Sequence, residues 1–261
     1  MRLLVLPAAI AMPLVAWLSN AGAFGPDNGT VSARHPTLLV AAGYAFSIWG
    51  LVFLLDLAYA AWQATGWRRR DATLGRVAPW AAAGFLLTTA WMPLFSQGWF
   101  WLCLAVIFGA TACLARCALL LSRERLAGGR PLGWAWAPLS LHAGWLTLAA
   151  FLNLAQVIVA YELLPADRQL PWSAGLWAAA ATVLLGLNHR MRGNLAFVAA
   201  VLWGLVAVCV RQSGHALAGA DVSAWIAAAL AVAIALQTVM LRRDSRNRRT
   251  LGSRPLSSIG P

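Results

Sequence analysis

The stretch Pro138-Leu139-Ser140-Leu141-His142-Ala143-Gly144-Trp145-Leu146-Thr147-Leu148-Ala149-Ala150-Phe151-Leu152-Asn153-Leu154-Ala155-Gln156 decides the fold. It sits in a run from 134 to 160 without a single charged residue, long enough as a helix to cross the ~30 Å hydrocarbon layer of a bilayer. Within it, positions 142, 145, 149, 153 and 156 are spaced by 3, 4, 4 and 3 residues, so a helix places His, Trp, Ala, Asn and Gln on one face. Polar groups at membrane depth are costly unless they face protein or a cavity. The stripe therefore either bonds neighbouring helices or lines a pocket for an apolar ligand.

Outward from this run, the same signal recurs. Apolar segments near residues 3 to 18, 38 to 63, 78 to 97, 99 to 121, 134 to 160, 171 to 187, 195 to 211 and 222 to 241 predict eight transmembrane helices in an all-α, polytopic membrane bundle. Hydrophobic residues make up 61% of the 261, charged residues only 11%, and the mean hydropathy is +0.70, which excludes a water-soluble globule. The net charge of +12 does not signal nucleic acid. Seventeen of the 20 basic residues, all arginine, fall in alternate loops and at the termini, while the intervening loops hold only Arg34, Arg168 and Arg211. This is the positive-inside pattern of a multi-pass protein with both termini cytoplasmic, and in a bacterium the inner membrane is the default location. Met1 to Gly25 also resembles a signal peptide, but Pro7, Pro13 and Trp17 favour a retained helix. The arginine-rich stretch 242–261 is expected to be disordered and to lie against anionic lipid.

Ten of the 15 tryptophans fall at span ends, where an apolar ring with a polar N–H suits the interface. Trp49, Trp91, Trp145, Trp177 and Trp203 do not, and lie at mid-depth. Asp56 and Arg116 occupy similar depths in the second and fourth spans and are expected to neutralise each other as a structural ion pair. Cys103, Cys113, Cys117 and Cys209 form no C-x-x-C pair and read as small packing residues, so no metal is assigned. As a haem ligand His142 would stand alone, and a lone histidine is more commonly a hydrogen-bonded packing residue. No P-loop, G-x-G-x-x-G, H-E-x-x-H or G-x-S-x-G motif is present, so no catalytic residue is assigned and the protein is read as a non-enzyme.

Three stretches resemble the TspO/MBR family, the tryptophan-rich sensory proteins related to the mitochondrial translocator protein (peripheral benzodiazepine receptor). They are Ala42-Gly43-Tyr44-Ala45-Phe46-Ser47-Ile48-Trp49-Gly50-Leu51-Val52-Phe53, Thr88-Thr89-Ala90-Trp91-Met92-Pro93-Leu94-Phe95, and Trp145 to Asn153 after Pro138 to Gly144. They resemble the family's P-G-W-x-F-G-P-x-W-T-x-L-Y, L-N-x-x-W-S-x-x-F-F and W-x-x-x-A-x-x-L-N segments, the first with one residue fewer between Phe46 and Trp49. The resemblance implies a five-helix unit over 1–165 and a three-helix extension over 166–241, as in the longer family members. It departs where Thr88 replaces asparagine, Met92 serine and Phe53 tyrosine.

What the resemblance implies for function is a membrane receptor or sensor that binds a planar hydrophobic molecule, a porphyrin or haem-like compound, among Phe46, Trp49, Trp91, His142, Trp145 and Asn153. No cofactor is required. The alternatives are a transporter of a hydrophobic small molecule and, less favoured, a membrane enzyme acting on a bound porphyrin. Expected partners are the ligand and the lipid bilayer, with no nucleic acid. Self-association is left open.

Overall fold

A computed structural model describes residues 2–129, 132–214 and 216–252. Among them the regular structure is helical: α1 (Arg2–Asn20), α2 (Asn28–Arg34), α3 (Ile48–Gln63), α4 (Ala72–Ser96), α5 (Phe100–Leu126), α6 (Gly133–Ala160), α7 (Gln169–Arg190), α8 (Leu195–Ser213) and α9 (Ala220–Gly252), with short 3-10 turns at Gly43–Ser47 and Gly66–Arg70. Eight segments are long and apolar enough to cross a membrane, matching the eight expected spans.

Helix α6, which carries the deciding stretch, is the hub. In its most apolar window 78% of the residues are buried, more than in any other span. It packs against α3, α5, α7 and α8, while α1 lies on α4 and α9 joins α8 to α7. Close approach to α8 is set by small residues, as in membrane bundles generally. A Cβ at Gly144 would sit 2.3 Å from the Phe197 carbonyl oxygen, and one at Gly204 would sit 2.5 Å from Leu148 Cδ2. Local signals fix the helix starts: Asp27, Asp71 and Asn194 each accept a backbone N–H of the first turn that would otherwise be unpaired.

Three expectations are corrected. Residues 38 to 47 do not begin the second span as α-helix: 35–42 is irregular and leads into the 3-10 turn at Gly43–Ser47. The reason is that its backbone finds partners outside itself. Gln212 Nε2 donates to the carbonyls of Thr37 and Val40, each at 3.0 Å. The Leu38 amide donates to Gln169 Oε1 at 3.2 Å, the Ala42 amide to the Ala207 carbonyl at 2.9 Å, and Ser223 Oγ donates to the Leu38 carbonyl. Irregular backbone stays buried only where protein satisfies it in this way. Second, α9 continues to Gly252, so the stretch 242–252 is helical rather than disordered, consistent with the good helix propensity of arginine. The remainder of the expected tail, 253–261, lies outside the described residues.

The third correction concerns the Asp56–Arg116 ion pair. Arg116 is on the exposed face of α5, where a long side chain can carry its charge out of the apolar layer, whereas α3 lies against α1 and α6. Asp56 is fully buried, and its Oδ2 pairs instead with His142 Nδ1 at 2.7 Å.

Gln212 offers a direct test of the loop's dependence on α8. Gln212→Leu would leave the Thr37 and Val40 carbonyls without those donors, at a cost of about 1–3 kcal/mol for buried unpaired groups. Faster proteolysis between α2 and α3 and a lowered Tm in detergent are the expected readouts. An unchanged melting profile would show that other groups carry the loop.

Candidate functional site

The irregular segment contributes to one wall of a small cavity, which the polar stripe of α6 also lines. Trp145, Ala149, Asn153 and Gln156 of the stripe contribute, together with Phe46, Trp49 and Trp91. Five of the six residues expected to bind ligand therefore converge on one space. The backbone explains why. The 3-10 turn presents Phe46 one turn before Trp49 at the start of α3, and the 3.6-residue period of α6 stacks Trp145, Ala149 and Asn153 along one line.

The aromatic walls hold one another in place. Trp49 stacks on Phe53 with centroids 5.3 Å apart and meets the edge of Trp145 at 6.0 Å. Trp91 stacks on Phe95 at 4.6 Å, and its Nε1–H donates to Asn153 Oδ1 at 3.0 Å. That bond orients the amide. With Oδ1 occupied by Trp91, the Asn153 Nδ2 group is buried without a partner, as is Trp145 Nε1. Gln156 is satisfied, donating to Ser32 Oγ at 2.7 Å. The cavity thus combines indole and phenyl faces with two buried N–H-bearing groups that meet no acceptor among the described residues.

His142, the sixth expected residue, lies outside this lining. It is fully buried beneath Trp49, whose ring it meets edge-on at 5.7 Å, and it stacks on Phe85 at 6.0 Å. Its Nε2 is 3.4 Å from Thr88 Oγ1, which donates its own proton to the Gly84 carbonyl at 2.9 Å. With its proton given to Gly84, the Thr88 hydroxyl faces the imidazole as an acceptor. On the other side of the ring, Nδ1 is hydrogen-bonded to Asp56 Oδ2 at 2.7 Å. The histidine is thereby committed on both nitrogens and acts as a floor under Trp49.

Beyond Phe46 and Trp49 lies a larger recess between α1 and the start of α3, which these two side chains also line. The inner cavity holds about 40 Å³ and the recess about 440 Å³. Phe53 and Met92, two of the positions where the sequence departs from the resembled motifs, line the recess rather than the inner cavity. Asp27 lies at its rim, its carboxyl held below the usual carboxylate range by the Thr30 side-chain and backbone hydrogen bonds.

The other two mid-depth tryptophans serve the irregular segment. Trp203 Nε1 donates to the Ala45 carbonyl at 3.1 Å, and Trp177 Nε1 donates at 2.9 Å to Ser223 Oγ, the same hydroxyl that holds Leu38. A family model described as TSPO-like protein matches residues 2–241. The chain belongs to that family. The match covers the extension as well as the first five spans, so the TSPO-like region includes α7, α8 and most of α9. No curated protein and no solved structure matches the chain at a significant level.

Sequence reasoning missed the part of the lining made by Ser32, Val40 and Ala41, because it took the segment from 38 as helix. Asp27 before Asn28, with Thr30 three residues on, is a helix-start signal that could have revealed α2 and hence Ser32.

Proposed function

We propose that this TSPO-like membrane protein is a receptor for a planar hydrophobic small molecule of tetrapyrrole-like shape that carries a carbonyl or carboxylate at one edge. The observation that supports this most strongly is the pair of unpartnered donors, Trp145 Nε1 and Asn153 Nδ2, buried among aromatic faces. Unpaired buried donors are rare, and each is stabilised when an acceptor arrives. Aromatic faces provide the stacking area for a flat π-system.

At about 40 Å³ the inner cavity is far below the ~300–1,000 Å³ of ligand sites. Phe46 and Trp49 form the partition between it and the 440 Å³ recess, so displacing their rings would merge the two into a space of ligand size. In this reading the ligand enters from the α1 side, slides between Phe46 and Trp49, and places its polar edge against Asn153. By the arginine distribution, the loops at 64–71, 127–132 and 191–194 and both termini face the cytoplasm of a bacterial inner membrane.

Titration of detergent-solubilised protein with protoporphyrin, followed by tryptophan quenching, is expected to be saturable with one site. Trp145→Phe keeps the ring face and removes the N–H, and is expected to weaken binding about tenfold, the order of one lost hydrogen bond. Non-saturable quenching that is indifferent to the substitution would reduce the tryptophans to packing residues. Intact ligand recovered at one per protein distinguishes a receptor from an enzyme, and retention of ligand inside sealed vesicles distinguishes it from a transporter.

A further inference from the structure

We infer a second binding site, for a phosphate group, at the arginine-rich end of the bundle where the three-helix extension meets α5 and α6. A cavity of about 180 Å³ lies there, lined among others by Ser122, Arg125, Trp136, Arg192, Asn194 and Arg242. At ~30 Å³ per water it holds roughly six waters, room for a phosphate and part of its hydration shell.

Its chemistry is one-sided. Three arginines from three separate elements line it, Arg125 at the end of α5, Arg192 in the α7–α8 turn and Arg242 on α9, and among the described residues no carboxylate does. Two acids lie next to its lining in sequence: Glu124 is engaged elsewhere by Arg76 at 3.6 Å, and Asp244, between Arg242 and Ser245, is exposed on α9 and is not part of the lining. Like charges converging without a counter-charge are unfavourable, and a dianion relieves that repulsion while accepting from several forks at once. Arg125 is positioned by its ring neighbour, its guanidinium lying 4.3 Å from the Trp136 centroid.

The floor is polar and preorganised. Ser122 and Asn194 are buried at 2% and 1% exposure. Ser122 Oγ accepts from Trp136 Nε1 at 3.2 Å and from Asn194 Nδ2 at 3.1 Å. A hydroxyl has two lone pairs and one proton, so the group left over is a donor.

Backbone strain points to the same place. Arg192 has φ 56°, in the left-handed region, followed by Gly193 at φ 75°. A left-handed turn closing α7 calls for one glycine-like residue, and Gly193 supplies it at the position where a Cβ would meet Thr238 O at 3.0 Å. An arginine held beside it in the same conformation bears a Cβ strain that a glycine would avoid. Strained residues of this kind concentrate at ligand sites.

The test uses the full chain in mild detergent, with dioctanoyl phosphatidylglycerol, dioctanoyl phosphatidylcholine and inorganic phosphate as probes. Native mass spectrometry counts lipid adducts, and thermal shift at constant ionic strength reads phosphate. Arg192→Gly relieves the strained turn, so its stability is expected to hold while binding falls at least about tenfold, and Arg125→Gln combined with it abolishes the site. Arg69→Gln with Arg70→Gln removes the same number of charges from another loop and is expected to bind as wild type does. One phosphatidylglycerol adduct in preference to phosphatidylcholine identifies a lipid headgroup as the source, and stabilisation by phosphate without lipid preference identifies a soluble phosphate compound. Equal binding by wild type and the Arg125/Arg192 variants, or equal loss in the Arg69/Arg70 control, overturns the site.

Discussion

Asp56→Ala and His142→Ala are each expected to destabilise the fold by about 3–5 kcal/mol, the order measured when one member of a buried charged pair is removed. The expected loss is large because nothing else can take over. Both side chains are fully buried, Asp56 Oδ2 has His142 as its hydrogen-bond partner, and Asp56 Oδ1 already lacks one. A lone carboxyl or imidazole in this apolar layer would keep its desolvation cost without the compensating bond. Replacing both, as Asp56→Leu with His142→Phe, removes the polar requirement and is expected to recover most of the loss, since apolar pairs of similar volume substitute well for buried ion pairs. Unfolding in mixed micelles with increasing dodecyl sulfate would supply the double-mutant cycle. Strict additivity of the two single changes would show that the pair is not a unit. Because His142 lies edge-on to Trp49, the single variants are also expected to loosen the partition between cavity and recess.

The second large effect lies on the other side of α6. Gly144→Ala places a methyl 2.3 Å from the Phe197 carbonyl oxygen, 3.0 Å from its carbon and 3.1 Å from its Cα, all backbone atoms. Backbone in a helix cannot turn aside as a side chain can, so α6 and α8 must separate, at a cost of about 3 kcal/mol. Gly204→Ala is the control. The atom it would meet is Leu148 Cδ2, the end of a flexible side chain, and its expected cost is below about 1.5 kcal/mol. Thermal unfolding of the two variants side by side tests this directly. A milder Gly144 than Gly204 variant would contradict the packing described between these helices. Since α8 also carries Gln212 and Trp203, separating it from α6 is expected to weaken protoporphyrin binding through the loop as well as lower the Tm.

Much of this architecture is legible in the chain itself. Each span carries a continuous apolar signal, and the α6 stripe is periodic, so the number of spans and the shared face of Trp145, Asn153 and Gln156 follow from composition and spacing, while that this face lines a cavity does not. What did not follow was anything that depends on which helices touch. The partner of Asp56 is 86 residues away, and choosing His142 over Arg116 requires knowing that α3 lies against α6. His142 belongs to the stripe by its spacing, yet a neighbour on the next helix draws it below the cavity. The segment 38 to 47 was misread for a different reason. Leu38-Leu39-Val40-Ala41-Ala42 is as apolar as any helix start, and hydropathy measures burial rather than backbone shape.

The partners of that segment have a further consequence, one of timing. Thr37 is separated from Gln212 by 175 residues and Leu38 from Ser223 by 185. At a synthesis rate of ~5–20 residues per second, the carbonyls of Thr37 and Leu38 wait on the order of 10–35 seconds before the side chains that satisfy them have been made. During that interval the first spans lack the side chains that hold this wall of the cavity. This wall of the cavity is completed only when the last helix arrives.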